Sequence, residues 1–180
     1  MADLKHERNS KNSAHSSLRE SIIEHLFVGE ILKALWREDL TQVEVLKPQV
    51  DDVGYDVVIE CSRNPKLNTS VLRHIQLKSS YKGGKRDSVS VGMKLTKKPN
   101  WCVIWVFFDP DTLLLGPFRW YGTALGQPPP DIANFKKAKH TKGDSKGIKA
   151  EKLEHREVSK GKFVELKSIQ DVIDKLFPKE

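Results

Sequence analysis

Three side chains from two neighbouring apolar runs carry the chemistry this chain could do. The first run is Asp51-Asp52-Val53-Gly54-Tyr55-Asp56-Val57-Val58-Ile59-Glu60, and the second contains His74-Ile75-Gln76-Leu77-Lys78. Both read as strands, in which alternate side chains share a face. His74, Gln76 and Lys78 then stand on one face, with Ile75 and Leu77 on the other. Asp56, Val58 and Glu60 likewise oppose Val57, Ile59 and Cys61. With both apolar sets against one helical layer, Asp56, Gln76 and Lys78 open on a common cleft. A carboxylate, an amide oxygen and an ammonium at one point make a divalent-cation site beside a positive charge, which is equipment for attacking a phosphodiester.

The elements around those strands must position the site. A helix is expected from Ser16 or Ser17 to about Glu38, with Glu20 placed for a capping box from Ser17. Leu18, Ile22, Ile23, Leu26, Phe27, Ile31, Ala34 and Leu35 cover most of its circumference, so it reads as largely buried. Glu30 projects onto that apolar sector, where a lone carboxylate is costly unless it is paired or holds a metal. A metal partner explains Glu30; a salt bridge to Lys78 or an arginine, or a rotated helix, are the alternatives. Glu24 is the other candidate helix acid, and Asp52 replaces Asp56 if the strand starts earlier. His74 is in phase with Gln76 and Lys78 and could contact a phosphate, although a satisfied surface histidine is the plainer reading.

Further strands are expected at Val43–Leu46, Tyr55–Cys61, Val71–Lys78, around Ser88–Val91, at Trp101–Phe108, at Thr112–Tyr121 with a break at Gly116-Pro117, and at Phe163–Leu166. Trp101–Phe108 is continuously apolar and reads as a central strand covered on both faces. Trp101, Trp105, Trp120, Phe107, Phe108 and Tyr121 fit a packed core better than a base-stacking platform. Ser168 is placed to cap a closing helix with Ile169, Val172, Ile173 and Leu176 on one face. Residues 1–15 are polar and aperiodic and are expected to lack fixed structure, leaving 16–180 as a single α/β domain around one sheet.

Composition narrows the class. No apolar run reaches the roughly 20 residues a membrane helix needs. The first residues show no signal-peptide core, and Cys61 and Cys102 read as buried thiols of a reducing compartment, so the cytoplasm is the expected location. The formal net charge is +7. Residues 134–162 carry ten Lys or Arg against four Asp or Glu, which leaves the rest of the chain nearly neutral. Lys136, Lys137 and Lys139 of that segment are candidates for phosphate-backbone contact, as are Lys82, Lys85 and Arg86 in the glycine-containing turn after Lys78; solvated loops are the alternative.

Gly29-Glu30 on a first helix, Gly54-Tyr55-Asp56 opening a strand and Gln76-Leu77-Lys78 on the next resemble the PD-(D/E)XK nuclease superfamily of restriction endonucleases and Holliday-junction resolvases. The Gly-x-Asp and Gln-x-Lys variants look like its resolvase, Mrr-like and uncharacterised defence-associated branches. The resemblance spans about Ser17 to Tyr121. It implies a restriction-endonuclease-like fold, a mixed sheet flanked by helices, and a nuclease using Mg2+ or Mn2+ on nucleic acid, DNA above all, with a homodimer as a common arrangement. On that resemblance Asp56, Gln76, Glu30 and the Leu77 carbonyl are the metal ligands, and Lys78 orients the attacking water or offsets developing charge. Gln76 stands where most members carry Glu or Asp, so the site loses one negative charge and affinity for the ion falls unless Glu30 compensates. A catalytically degenerate relative that binds nucleic acid or a protein is the alternative.

Overall fold

A computed structural model describes residues 16–38, 42–50, 53–64, 69–140 and 149–179. Asp52, the first fifteen residues and the middle of the basic segment (141–148) lie outside the described residues. The chain runs α1 (Ser16–Arg37), β1 (Val43–Leu46), β2 (Val57–Asn64), β3 (Thr69–Tyr81), β4 (Ser88–Gly92), β5 (Trp101–Phe108), β6 (Leu115–Gly122), β7 (Lys137–Lys139), β8 (Glu151–Ser159), β9 (Val164–Leu166) and α2 (Ile169–Leu176). Six strands form one mixed sheet in the order β1-β2-β3-β5-β6-β9, and three form a second in the order β4-β8-β7. Among the described residues only β3 and β5 pair in parallel; the other pairings are antiparallel. A parallel pair needs a crossover, and here that crossover carries β4 into the second sheet.

The single sheet expected from sequence is therefore two. The basic segment supplies most of the second one, since β7 and β8 both fall within it. Strict alternation in Ser88–Val91 marks β4, but β8 carries only Leu153 and Val158 as apolar residues, and neither strand has a core face until the two sheets meet. Strand ends also move: β3 extends to Tyr81, and β6 begins only at Leu115, after a tight turn in which Asp109 accepts from Asp111, Thr112 and the Thr112 hydroxyl.

Two cores lie on opposite faces of the large sheet. Ile23, Phe27, Ile31 and Leu35 of α1 and Val172, Ile173 and Leu176 of α2 pack against Val57, Ile59, Ile75, Cys102, Ile104 and Val106. On the other face Trp101, Val103 and Trp105 meet Val89, Val91, Leu95, Val158 and Phe163 from the second sheet and its neighbours. Period-two geometry thus sends alternate β5 residues into different cores, and all eight are buried, as the continuous apolar run implies. The tryptophans of β5 are core, not a platform. Cys61 and Cys102 are free and buried. Burial pushes the Cys102 thiol up to about 12. α1 departs from expectation, because one sheet covers one side of a helix. Leu18 is 59% exposed and Trp36 71%.

Two arginines tie the helices to the sheet. Arg73, fully buried on β3, donates to the Leu176 carbonyl at 2.8 Å and the Thr123 carbonyl at 2.7 Å. The first of these is one of the carbonyls a helix end leaves without an internal partner, and a cation suits that negative end of α2. Arg63 bonds both oxygens of Glu38, Asp174 and the Phe177 carbonyl, joining β2 to the C-terminal ends of α1 and α2. At the other end of α2, Ser168 and Asp171 form a reciprocal capping box. No helix among the described residues is long and apolar enough to cross a membrane.

Candidate active site

The cleft arises where β2 leaves β3. Their ladder ends at Val57 opposite Ile75. One residue earlier the Asp56 N–H donates to the Ile75 carbonyl at 2.9 Å, and then the chain turns away. Gly54 makes that turn at φ +83°, and a Cβ there would sit 2.8 Å from the Leu95 backbone nitrogen, so a larger residue is excluded on both counts. Among the described residues, the far half of β3, from Gln76 onward, has no strand partner on that side. The Asp56 side chain bridges part of the gap, its Oδ2 accepting from the Leu77 N–H at 2.6 Å. The opening is about 670 Å³, and Asp56, Gln76 and Lys78 all line it.

α1 forms one wall. Ser17, Glu20, Ser21 and Glu24 recur at helical spacing on the side that faces the cleft. Glu24 pairs with Lys47 at 2.7 Å across the mouth. Arg86, from the turn before β4, and His155, from β8, complete the lining. Arg86 is steadied by its Nε donating to the Ser88 carbonyl at 3.1 Å.

The electrostatics follow from this packing. Burial holds the Lys78 ammonium below its ordinary range; Asp56 and Glu20 oppose that shift, while Arg86 and Lys152 reinforce it. Gln76 is 7% exposed, and its Oε1 is buried without a hydrogen-bond partner among the described residues. A buried carbonyl oxygen left unbonded costs roughly 1–3 kcal/mol. Gln76 lines the same cleft as Asp56, and its amide oxygen has the hard oxygen chemistry of a Mg2+ or Mn2+ ligand. The residues present therefore fit such an ion, with Asp56, Gln76 and a helix acid as the oxygen donors. No group of three or more His, Cys, Asp or Glu placed to hold a metal occurs among the described residues.

Glu30 is not part of this arrangement. It pairs with Lys33 at 2.5 Å on the helix surface and does not line the cleft. It lies six residues beyond Glu24, about 120° round the helix and roughly 9 Å along it, so no rotation brings both to one place. The acids that reach the cleft are Glu20 and Glu24; the apolar sector that seemed to enclose Glu30 is partly open to solvent. His74 is likewise outside the cleft. Its Nδ1 lies 2.8 Å from the Pro99 carbonyl, and its ring meets Tyr55 edge-on. Of the basic candidates, Arg86 alone lines the cleft. Lys82 and Lys85 are exposed on the neighbouring turn. Lys136 and Lys137 lie near Glu157 and Glu151, at 3.8 and 3.2 Å, and Lys139 is exposed on β7. Sequence reasoning passed over His155, because its register against Gly92 on β4 exists only once the second sheet has formed.

No protein-family model, curated protein or solved structure matches this chain.

Proposed function

We propose that this protein is a metal-dependent nuclease of restriction-endonuclease-like fold that hydrolyses phosphodiester bonds, with DNA as the favoured substrate. The observation that carries the reading is that Asp56, Gln76 and Lys78 line one cleft at the split between β2 and β3, where the Gln76 Oε1 is buried without a hydrogen-bond partner among the described residues. Asp56, Gln76 and the Leu77 carbonyl would hold Mg2+ or Mn2+, with Glu20 or Glu24 in the place given to Glu30 by sequence. When bound, the ion supplies Lewis-acid polarisation of the phosphate and acidifies water. The chain's own residues do the rest. Asp56 is oriented by the Leu77 N–H, so its carboxylate needs no rearrangement. Lys78 offsets negative charge as it accumulates on the phosphoryl oxygens, and its partly desolvated position strengthens that interaction. Arg86 contributes a guanidinium suited to a phosphate at the mouth of the cleft.

A second reading is a degenerate site that binds nucleic acid without cutting it. The observation favouring it is Gln76 itself, which lowers the negative charge available to the ion. One experiment separates them. Purified protein is incubated with supercoiled plasmid and MgCl2 or MnCl2, beside Lys78→Ala. Nicking or linearisation that needs the metal and is lost in Lys78→Ala is expected. Retention of plasmid in a binding assay without cleavage under any divalent ion would establish the second reading instead.

A further inference from the structure

The second sheet sends one side chain of β8 into the cleft, and that side chain is an imidazole. His155 lines the opening with Asp56, Gln76, Lys78 and Arg86. Its position is set by register: it lies opposite Gly92, and a Cβ at Gly92 would stand 3.7 Å from its Nε2. The Nε2 edge of the ring therefore lies beside the β4 backbone at Gly92. The other histidines near the helix and sheet are engaged, His25 at 2.6 Å from the Ser21 carbonyl and His74 at 2.8 Å from Pro99. Neither ring nitrogen of His155 is hydrogen-bonded to another described residue. A half-buried imidazole with neither nitrogen bonded to a described residue, lining a cleft that holds a lysine and an aspartate, has the chemistry of a proton carrier.

We propose that His155 is a catalytic residue of this cleft, the base that takes the proton from the attacking water during phosphodiester hydrolysis. The proposal rests on the nuclease reading. In the step, the water oxygen forms a new bond to phosphorus while its proton passes to a ring nitrogen of His155. The bond from phosphorus to the leaving sugar oxygen breaks, that oxygen takes a proton from solvent, and the imidazolium returns its proton to solvent. A base must start neutral. Burial lowers the proton affinity of the ring, and Lys152 and Lys78 lower it further against the opposing charge of Glu154. Lys78 thus has two effects here, offsetting phosphoryl charge and keeping its neighbour unprotonated.

The test compares single-turnover plasmid cleavage in MnCl2 by the unsubstituted protein, His155→Ala and His155→Gln, with DNA affinity measured in CaCl2. Both substitutions are expected to slow cleavage by about 100-fold or more while leaving DNA affinity unchanged. Free imidazole added to His155→Ala is expected to restore part of the lost rate, because it returns a base to the space left empty. It should do little for His155→Gln, whose side chain fills that space without a usable basic nitrogen. Cleavage that survives both substitutions overturns the assignment of His155 alone. Slow cleavage that imidazole does not rescue, accompanied by weakened DNA binding, overturns it too, because the residue is then structural. Absence of cleavage by the unsubstituted protein overturns the nuclease reading on which the assignment stands.

Discussion

Replacing Gln76 by leucine separates a metal ligand from a core residue more sharply than any activity assay. In the metal-free protein the Gln76 Oε1 is buried without a hydrogen-bond partner among the described residues, a state that costs roughly 1–3 kcal/mol. Leucine has similar bulk and no polar atom, so Gln76→Leu should raise metal-free stability by about 1–2 kcal/mol. For a domain of this size each kcal/mol moves Tm by roughly 2–4 °C, so Tm should rise by about 2–8 °C. The metal should do the opposite to the pair. At about 100 times its Kd an ion that binds only the folded state adds about 2.7 kcal/mol, a shift of roughly 5–11 °C in the unsubstituted protein. Gln76→Leu has lost a ligand, and its shift at the same concentration should fall to less than half. Thermal unfolding followed by circular dichroism, with EDTA and then with MnCl2, measures all four numbers. If Gln76→Leu is less stable than the original in EDTA, the amide oxygen was satisfied in solution. If the manganese shift is the same in both proteins, Gln76 does not bind the ion, and the site geometry argued above fails.

Two further predictions concern the frame. Arg73→Ala leaves the Leu176 and Thr123 carbonyls without their buried donor and opens a cavity beneath α2, so urea unfolding should show a loss of about 3 kcal/mol or more; a loss within error would mean that α2 docks without this contact. Glu38 gives a pH prediction. Burial pushes its carboxyl up, but hydrogen bonds from Arg63, Gln170 and Lys179 outweigh burial and leave it below the ordinary range. A depressed folded value stabilises above the unfolded value of about 4.3 and loses that contribution as pH falls through the folded one. Glu38→Gln should therefore lower stability at neutral pH and flatten its decline on acidification, as read from urea midpoints across the acid range. An unchanged slope would show that the Arg63 cluster does not couple to folding.

Much of the frame was legible along the chain. The central strand Trp101–Phe108 announced itself because eight consecutive apolar residues demand cover on both faces. Ser168, with Ile169, Val172, Ile173 and Leu176 at helical spacing, marked the last helix. Alternation put Gln76 and Lys78 on one face of β3, and both line one cleft with Asp56, which sits one residue before β2. The helix acid was legible only as a choice. Glu24 and Glu30 have similar apolar neighbours in projection, and a helical wheel does not report which side the sheet covers. The aromatic residues of β5 and β6 likewise had two readings until the second sheet closed over Trp101 and Trp105.

Local pattern by itself marked the two helices and most strands of the large sheet and showed which side chains of β3 and β5 share a face, since these follow from backbone periodicity over a few residues. Tertiary structure alone decided that the basic segment folds into a second sheet, that Glu20 and Glu24 rather than Glu30 reach the cleft, and that His155 joins them. Those outcomes depend on how separate elements are rotated and registered against one another. That choice is made by burial and pairing between residues distant in the chain, such as His155 against Gly92 and α1 against β3.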